Sequence, residues 1–236
     1  MRKDRFFIAT KIEKGKLEIL EKEIFHQVKS VLRKKVGDRI ILFNGTGIEA
    51  EAEIKKFSKD KIEVEVLNIE KPKREPKIFV SLFCSILKKS NFELVVQKAT
   101  EIGVKEIVPI LCRNTVKTGL NFKRLEKIAK EAAEQSKRIT LPKIEKVFSF
   151  KEAIERAKNF DLKILFDISG KDFSLVKKGA KSVAIFIGPE GGWDELEIEL
   201  AKKENFEILN LGKLNLRSET AAIIASFLTI YLLSSE

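Results

Sequence analysis

Strict alternation marks the first seventy residues. Ile48, Ala50, Ala52 and Ile54 face one way, while Glu49, Glu51, Glu53 and Lys55 face the other. Ile62, Val64 and Val66 repeat the pattern against Lys61, Glu63 and Glu65. A period of two with one apolar side is the mark of a half-buried strand. Asn44-Gly45 to Gly47 and Ser58 to Asp60 supply the turns. Residues 6–9 and 17–20 read as further short strands, and residues 23–33 carry Phe25, Val28 and Leu32 on one side of a helix. Short strands with polar outer faces predict a small barrel.

The period changes at residue 78. Before it, Lys71-Pro72-Lys73-Arg74-Glu75-Pro76-Lys77 holds two prolines and no apolar residue, and reads as an exposed, extended linker. After it, apolar runs alternate with helical spacing. Residues 78–84 form a strand. Ser90-x-x-Glu93 has capping-box spacing before a helix with Phe92, Val95, Val96 and Ala99 on one face, and Gly103 stops that helix. Residues 106–111 are the next strand. Residues 124–138 give the clearest helix, with Leu125, Ile128, Ala129, Ala132 and Ala133 in register. A strand near Ile144, a helix near Ala153, a strand at 162–166, a short helix over 172–177 and a strand at 183–187 follow. Strands alternating with helices predict a mostly parallel sheet covered on both faces. The final helix, 219–233, is apolar nearly all round, which predicts burial on most faces, in the core or against a second subunit.

Composition narrows the picture only a little. The 236-residue chain carries 46 basic and 35 acidic side chains, a net +11, so anionic partners such as nucleic acid are favoured. The excess is +3 over residues 1–70, +3 over 71–77 and +5 over 78–236, so any basic patch is assembled by folding. Glutamine occurs only at 27, 97 and 135, and Lys/Glu enrichment of this kind leans toward a thermophile source. His26 is the only histidine, which excludes a His-rich metal site. Cys84 and Cys112 lack metal-ligand spacing and read as buried thiols. The longest apolar run, 221–233, is too short to span a bilayer, and the N-terminus lacks a signal-peptide core, so a cytoplasmic protein is expected.

Two loops hold the candidate chemistry. The strand at 183–187 runs into Gly188-Pro189-Glu190-Gly191-Gly192, where backbone can approach a ligand closely. A second apolar strand, 206–209, ends in Leu211-Gly212-Lys213-Leu214-Asn215-Leu216-Arg217. Loops at the carboxyl ends of strands are where open α/β sheets bind ligands. Phosphate is disfavoured: there is no Gly-Lys-Ser/Thr ending and no GxGxxG, and Glu190, Asp194, Glu195 and Glu197 crowd the next helix start. Asp194 and Glu197 have capping-box spacing, so that helix serves its own free N–H groups. The rim suits a neutral or cationic ligand, although spacing alone favours a capped helix after a tight loop.

Ile187-Gly188-Pro189-Glu190-Gly191-Gly192-Trp193, with Leu211-Gly212 and Leu216-Arg217-Ser218-Glu219-Thr220-Ala221, resembles the signature of the SPOUT methyltransferases, most closely the RsmE-type 16S rRNA (uracil-N3)-methyltransferases. Further matching stretches are His26-Gln27-Val28, Val31-Leu32-Arg33, Gly37-Asp38, Asn44-Gly45, Lys98 to Val104, Pro109 with Arg113, and Glu131 to Ser136 with Arg138 and Pro142. On composition alone, Glu101 and Gln135 among them would be solvated helix residues. Asp167-Ile168-Ser169-Gly170 matches no fixed motif.

The resemblance implies an α/β protein with a small N-terminal PUA-like RNA-binding β-barrel (1–70), a linker (71–77) and a SPOUT methyltransferase domain with a C-terminal trefoil knot (78–236). It implies S-adenosyl-L-methionine as cofactor, without a metal. The cofactor would be held by Gly188, Pro189, Glu190, Gly191, Gly192, Leu211, Gly212, Leu214 and Leu216, with Phe166 as a further wall. Arg217 is the expected catalytic residue, the other reading being an ion pair with Glu219 or Glu190. Ser218 is the expected helix N-cap. Arg5, His26, Arg33, Arg113 and Arg138 are the expected RNA contacts, although His26 also fits a satisfied helix residue and Arg33 a helix C-terminal cap. The expected partners are 16S rRNA in the small ribosomal subunit and a second copy of the chain, bound through the knot and last helix. The alternatives are an RNA-binding or ribosome-assembly protein without catalysis, and a SPOUT enzyme acting on another RNA such as tRNA.

Overall fold

The computed structural model describes residues 4–116, 119–176 and 179–234. It divides into two compact units, Met1–Glu75 with Ala133–Leu141, and Pro76–Ala132 with Pro142–Glu236.

The first unit is built on β1 (Arg5–Phe7), β2 (Gly15–Ile19), β3 (Arg39–Phe43), β4 (Glu49–Phe57) and β5 (Ile62–Glu70), in the order β1-β3-β4-β5-β2. β1 runs parallel to β3, and the other pairs are antiparallel. The alternation in β4 and β5 does what it predicts: Ala50, Ala52, Ile54, Ile62, Val64 and Val66 join Phe6, Ile8, Ile40 and Leu42 in one core. The alternation does not reveal β3, whose Ile40-Ile41-Leu42-Phe43 run is apolar on both sides. The helix expected over 23–33 is cut short. α1 spans Lys22–His26 and passes into a π-helical turn, Gln27–Val31. Arg33 then takes a left-handed φ of +51°, which strains a side chain other than glycine.

Glu49 joins this unit together. Its carboxylate pairs with both Arg5 and Arg74. Burial alone would raise its pKa, but the hydrogen bonds and charges of the two arginines outweigh that and hold it below the usual carboxylate range. A folded-state value below the unfolded one contributes stability that is complete above the unfolded value, about 4.3. The contribution is lost as pH falls through the folded value. We therefore expect the denaturant midpoint to drop between pH 6 and pH 3.5, and the drop to be smaller in Glu49→Gln. Identical pH profiles would refute this.

The expected linker is exposed at Lys71, Lys73, Arg74 and Lys77, yet it is pinned through Arg74 and Glu75. Arg74 reaches Glu49, and Glu75 is a hub for the segment 138–140. Glu75 accepts from the Arg138 guanidinium at 3.0 Å and from the Ile139 amide at 3.0 Å. Its two acceptor oxygens satisfy a turn that has no ladder partners of its own.

The second unit holds a parallel sheet. Its strands are β6 (Phe79–Ser85), β7 (Glu106–Leu111), β8 (Lys143–Ile144), β9 (Phe148–Ser149), β10 (Leu162–Asp172), β11 (Ser182–Ile187) and β12 (Glu207–Asn210). The order is β12-β10-β11-β6-β7-β8, with β9 also on β7, and every pairing is parallel. Successive side chains enter two cores, as a sheet buried on both faces requires. Val80, Leu82, Cys84, Ile185 and Ile187 pack with α2 (Lys89–Ile102) and α6 (Ser218–Leu233), and with Leu125 and Ala129 of α3 (Phe122–Ser136). Phe83, Ala184 and Phe186 pack with α4 (Phe150–Ala157) and α5 (Glu195–Lys203).

Helix ends account for most differences from expectation. Gly103 ends α2 at φ +112°, as expected of a C-cap. The Ser90/Glu93 capping box does not form. Lys88 is the N-cap, Ser90 lies inside the first turn, and Glu93 pairs with Arg124 at 2.6 Å. Arg217, not Ser218, is the N-cap of α6, and Ser218 is its first helical residue. α6 is buried or half-buried at every position except Phe227 and Tyr231, in keeping with its nearly all-round apolar character. Ala222, Ala225, Ser226, Thr229 and Ile230 are buried, while Phe227 and Tyr231 stack on each other at 5.6 Å and are 51% and 62% exposed. Small residues on the inner face let the helix approach its neighbours closely, with Ile230 buried among them and Phe227 and Tyr231 left outward. The short helix expected over 172–177 is a 3-10 turn, Phe173–Leu175, and Lys177 lies outside the described residues.

Candidate active site

Three parallel strands deliver their carboxyl ends to one cleft of about 600 Å³ in the second unit. β11 ends at Ile187 and turns into Gly188–Gly192. β12 ends at Asn210 and turns into 211–217. β10 passes through an irregular segment between Phe166 and Lys171. Phe166, Gly188, Pro189, Glu190, Gly191, Gly192, Leu211, Gly212, Leu214, Leu216 and Arg217 all line the cleft. So do Lys88, Asn91, Asp167, Ile168, Trp193 and Glu219, to which the sequence assigned no contact. Lys88 and Asn91 follow β6, about a hundred residues before the glycine loop, and no local pattern links them to it. Trp193 had a signal, since it directly follows the five-residue glycine run.

Trp193 ties two of the loops together. Its Nε1–H donates to the Phe166 carbonyl at 2.9 Å. A Cβ on Gly188 would lie 3.0 Å from the indole ring, so glycine there permits the close approach. The glycine loop is closed by the Gly192 amide donating to the Pro189 carbonyl at 2.9 Å. Asn114 Nδ2 donates to the Gly192 carbonyl at 3.1 Å, and Glu190 Oε1 accepts from the Lys88 amide at 3.3 Å. Downstream, the expected capping box of Asp194 and Glu197 starts α5.

The wall formed by β10 and β12 depends on Gly170. Asn210 Nδ2 donates to its carbonyl at 2.6 Å, and a Cβ there would lie 2.6 Å from the Leu209 backbone. Backbone cannot yield as a side-chain end can. Gly170→Ala is expected to cost about 1–3 kcal/mol by overpacking and to weaken ligand binding in the cleft, as read by denaturant unfolding and calorimetry. Unchanged values for both would contradict this account of the wall.

Charge in the cleft is uneven. Asp167, Glu190 and Glu219 face Lys88 and Arg217. Arg217 is exposed and makes no ion pair with Glu190, Glu219 or any other described residue. Glu219 is 8% exposed, and its Oε2 is buried without a hydrogen-bond partner among the described residues. Beneath the loops, burial pushes the Cys84 thiol far above its ordinary value, with smaller contributions from Cys112, Glu190 and Glu219. Burial, followed by Glu197, pushes Cys112 up to about 12. Neither is a thiolate at neutral pH, so neither serves as nucleophile.

The five expected RNA contacts separate. His26 and Arg33 are exposed on the first unit. Arg113 is half exposed, with its guanidinium 3.2 Å from Asp194 and its amide on Glu197 Oε1 at 3.0 Å. The side chains of Arg5 and Arg138 are 9% and 5% exposed. Arg5 pairs with Glu49, donates to the Arg138 carbonyl at 3.0 Å and lies 5.1 Å from the centre of the Phe43 ring. Arg138 is held by Glu75. The geometry gives both guanidiniums structural partners in place of solvent. A cavity of about 260 Å³ in the same unit brings together Gln27, Leu32, Glu134 and Gln135, from stretches a hundred residues apart. No group of His, Cys, Asp or Glu among the described residues is placed to hold a metal, and no helix there is long and apolar enough to cross a membrane.

The family model of an RNA methyltransferase domain matches residues 73–229, and that of an RNA methyltransferase PUA domain matches residues 20–67. The chain is 35% identical over 233 residues to the Ribosomal RNA small subunit methyltransferase E of Rickettsia conorii, covering 95% of this chain and 94% of that one. A methyltransferase from Legionella pneumophila, solved in complex with the bound cofactor SAM, superposes with a TM-score of 0.89 at 29% identity over 96% of each chain. The Ribosomal RNA small subunit methyltransferase E of Neisseria gonorrhoeae, solved bound to S-adenosyl methionine, gives a TM-score of 0.92 at 26% identity over 98% of each chain.

Proposed function

This chain belongs to the RNA methyltransferase family, and on that premise we propose that it transfers the methyl group of S-adenosylmethionine to ring nitrogen three of a uridine in 16S rRNA of the small ribosomal subunit. The observation that carries the reading is the cleft at the ends of β10, β11 and β12. It is walled by glycine backbone and apolar side chains, is acidic in balance, and carries on its lining a guanidinium with no ion pair among the described residues. That donor set fits a cationic ligand without phosphate.

When bound, S-adenosylmethionine supplies an electrophilic methyl group on positively charged sulfur. Gly188, Gly191, Gly192 and Gly212 let a flat heterocycle approach the backbone closely, while the Gly192 amide is already bonded to the Pro189 carbonyl and the Gly212 amide to Asn210 Oδ1. Phe166, Leu211, Leu214 and Leu216 provide its apolar walls. Holding two reactants in line contributes up to about 7–11 kcal/mol toward the barrier. Arg217 holds the uracil and stabilises the negative charge left on its carbonyl oxygens when the ring nitrogen gives up its proton to solvent. A guanidinium already engaged by a carboxylate would be less available for this, and among the described residues none engages Arg217.

In this proposal residues 1–70 form a PUA-like RNA-binding barrel, 71–77 the connection, and 78–236 a SPOUT domain whose last loops form a trefoil knot. RNA is held by His26, Arg33 and Arg113, while Arg5 and Arg138 shape the unit that carries the first two. Two copies associate through the knot region and α6, whose exposed Phe227 and Tyr231 support such a contact. The enzyme works in the cytoplasm.

The test is methyl transfer from labelled S-adenosylmethionine to small subunits lacking the modification, naked 16S rRNA and bulk tRNA, with nucleoside mass spectrometry. 3-Methyluridine in the subunit or rRNA sample is expected. A ribose methyl in tRNA would overturn the substrate. No label and no cofactor binding would leave a non-catalytic RNA-binding protein.

A further inference from the structure

We propose that Glu219 is the counter-charge to the positively charged sulfur of the methyl donor, and that through it the cleft distinguishes the donor from its neutral demethylated product. The inference rests on the cofactor assignment above. Of the charged side chains lining the cleft, Glu219 alone is both buried, at 8% exposure, and without a partner among the described residues. Glu190 is exposed and receives the Lys88 amide, Asp167 receives the Ser169 amide, and Lys88 and Arg217 are exposed. A buried carboxylate with no partner is costly. Its position in the first turn of α6 lets the helix dipole offset part of that cost, but a dipole end carries only about half a charge. A ligand cation completes the balance.

The surroundings choose between the two cations of S-adenosylmethionine. Ile187, Leu216 and Ala221 line the cleft with Glu219, and the buried Cys84 thiol is near enough to feel its charge. An ammonium group brings three N–H donors that each need an acceptor. A sulfonium brings charge and no donor, which suits one carboxylate in an apolar setting. The product, S-adenosylhomocysteine, keeps the ammonium and loses the sulfonium.

Trp193 is the chain's only tryptophan and lines the same cleft, so its fluorescence reports binding directly. Wild type and Glu219→Gln would be titrated with S-adenosylmethionine and S-adenosylhomocysteine, with calorimetry as a check, and the ligand-free proteins melted. The variant should bind the donor about tenfold or more weakly and the product within about twofold of wild type. It should melt no lower than wild type, because an unpaired buried charge has been removed. Equal loss for both ligands, loss for neither, or a variant that melts earlier or fails to fold would overturn the proposal; the last would mean that the carboxylate holds the helix. Wild-type protein that binds neither ligand would instead sink the cofactor reading, and this inference with it.

Discussion

Arg217→Ala is expected to lower kcat for methyl transfer by about 10²–10³-fold, the typical cost of removing one group aimed at developing charge. The dissociation constant for S-adenosylmethionine should stay within about twofold. Arg217 is the N-cap of α6 with extended backbone, its side chain caps nothing, and it makes no ion pair among the described residues. Removing it therefore leaves no buried partner stranded, so the loss should fall on turnover and not on folding. Lysine should restore little, because a point charge lacks the planar fork that meets two oxygens of one ring. Single-turnover transfer and a melting curve on each variant separate the possibilities. An Arg217→Ala protein with near-normal turnover would place the charge stabilisation elsewhere.

The largest effect on stability is expected at Glu75, in the first unit. Glu75→Ala leaves the Arg138 guanidinium, 5% exposed, buried without its carboxylate. It also removes the acceptor for the amides of Ile139 and Thr140. Breaking a buried pair from one side costs about 3–5 kcal/mol, whereas replacing both partners by apolar residues is often neutral. Glu75→Ala should therefore shift the denaturant midpoint strongly, and Glu75→Met with Arg138→Leu should recover much of the loss. The two Glu75-bonded amides limit that recovery, since an apolar side chain cannot accept from them. If the double variant proved no better than the single, the pair's charge would not be the cause.

The two predictions sit on opposite sides of what could be read in advance. Arg217 stands out through its motif, and it lines the cleft. Glu75 does not stand out, because a lysine- and proline-rich heptapeptide has the composition of a solvated linker, and nothing in it signals that residues 138–140 return to it. The same long-range pairing removed Arg5 and Arg138 from solvent. An arginine's type says that it seeks anions; whether the anion is a phosphate or its own chain's Glu49 or Glu75 depends on what folding brings near. Helix ends failed for a related reason. Ser90 and Glu93 have the spacing of a capping box, but Arg124 on another helix claims Glu93. Asp194 and Glu197 have the same spacing and form the box, and there Arg113 supports it from outside.

What the amino-acid sequence determined by itself was everything set by neighbours a few residues apart. The alternation of β4 and β5, the change of period near residue 78, the stop at Gly103 and the glycine run after β11 all follow from local backbone chemistry and the separation of apolar from polar side chains. The tertiary structure alone decided which distant groups share a space. It assembled the cleft from Lys88, Asp167, Trp193 and Glu219 as well as the glycine loops, left Arg217 without an ion pair among the described residues and Glu219 buried, and turned α6 so that its small residues face inward. Packing and electrostatics act through space, and chain separation carries no information about them until the strands are laid side by side.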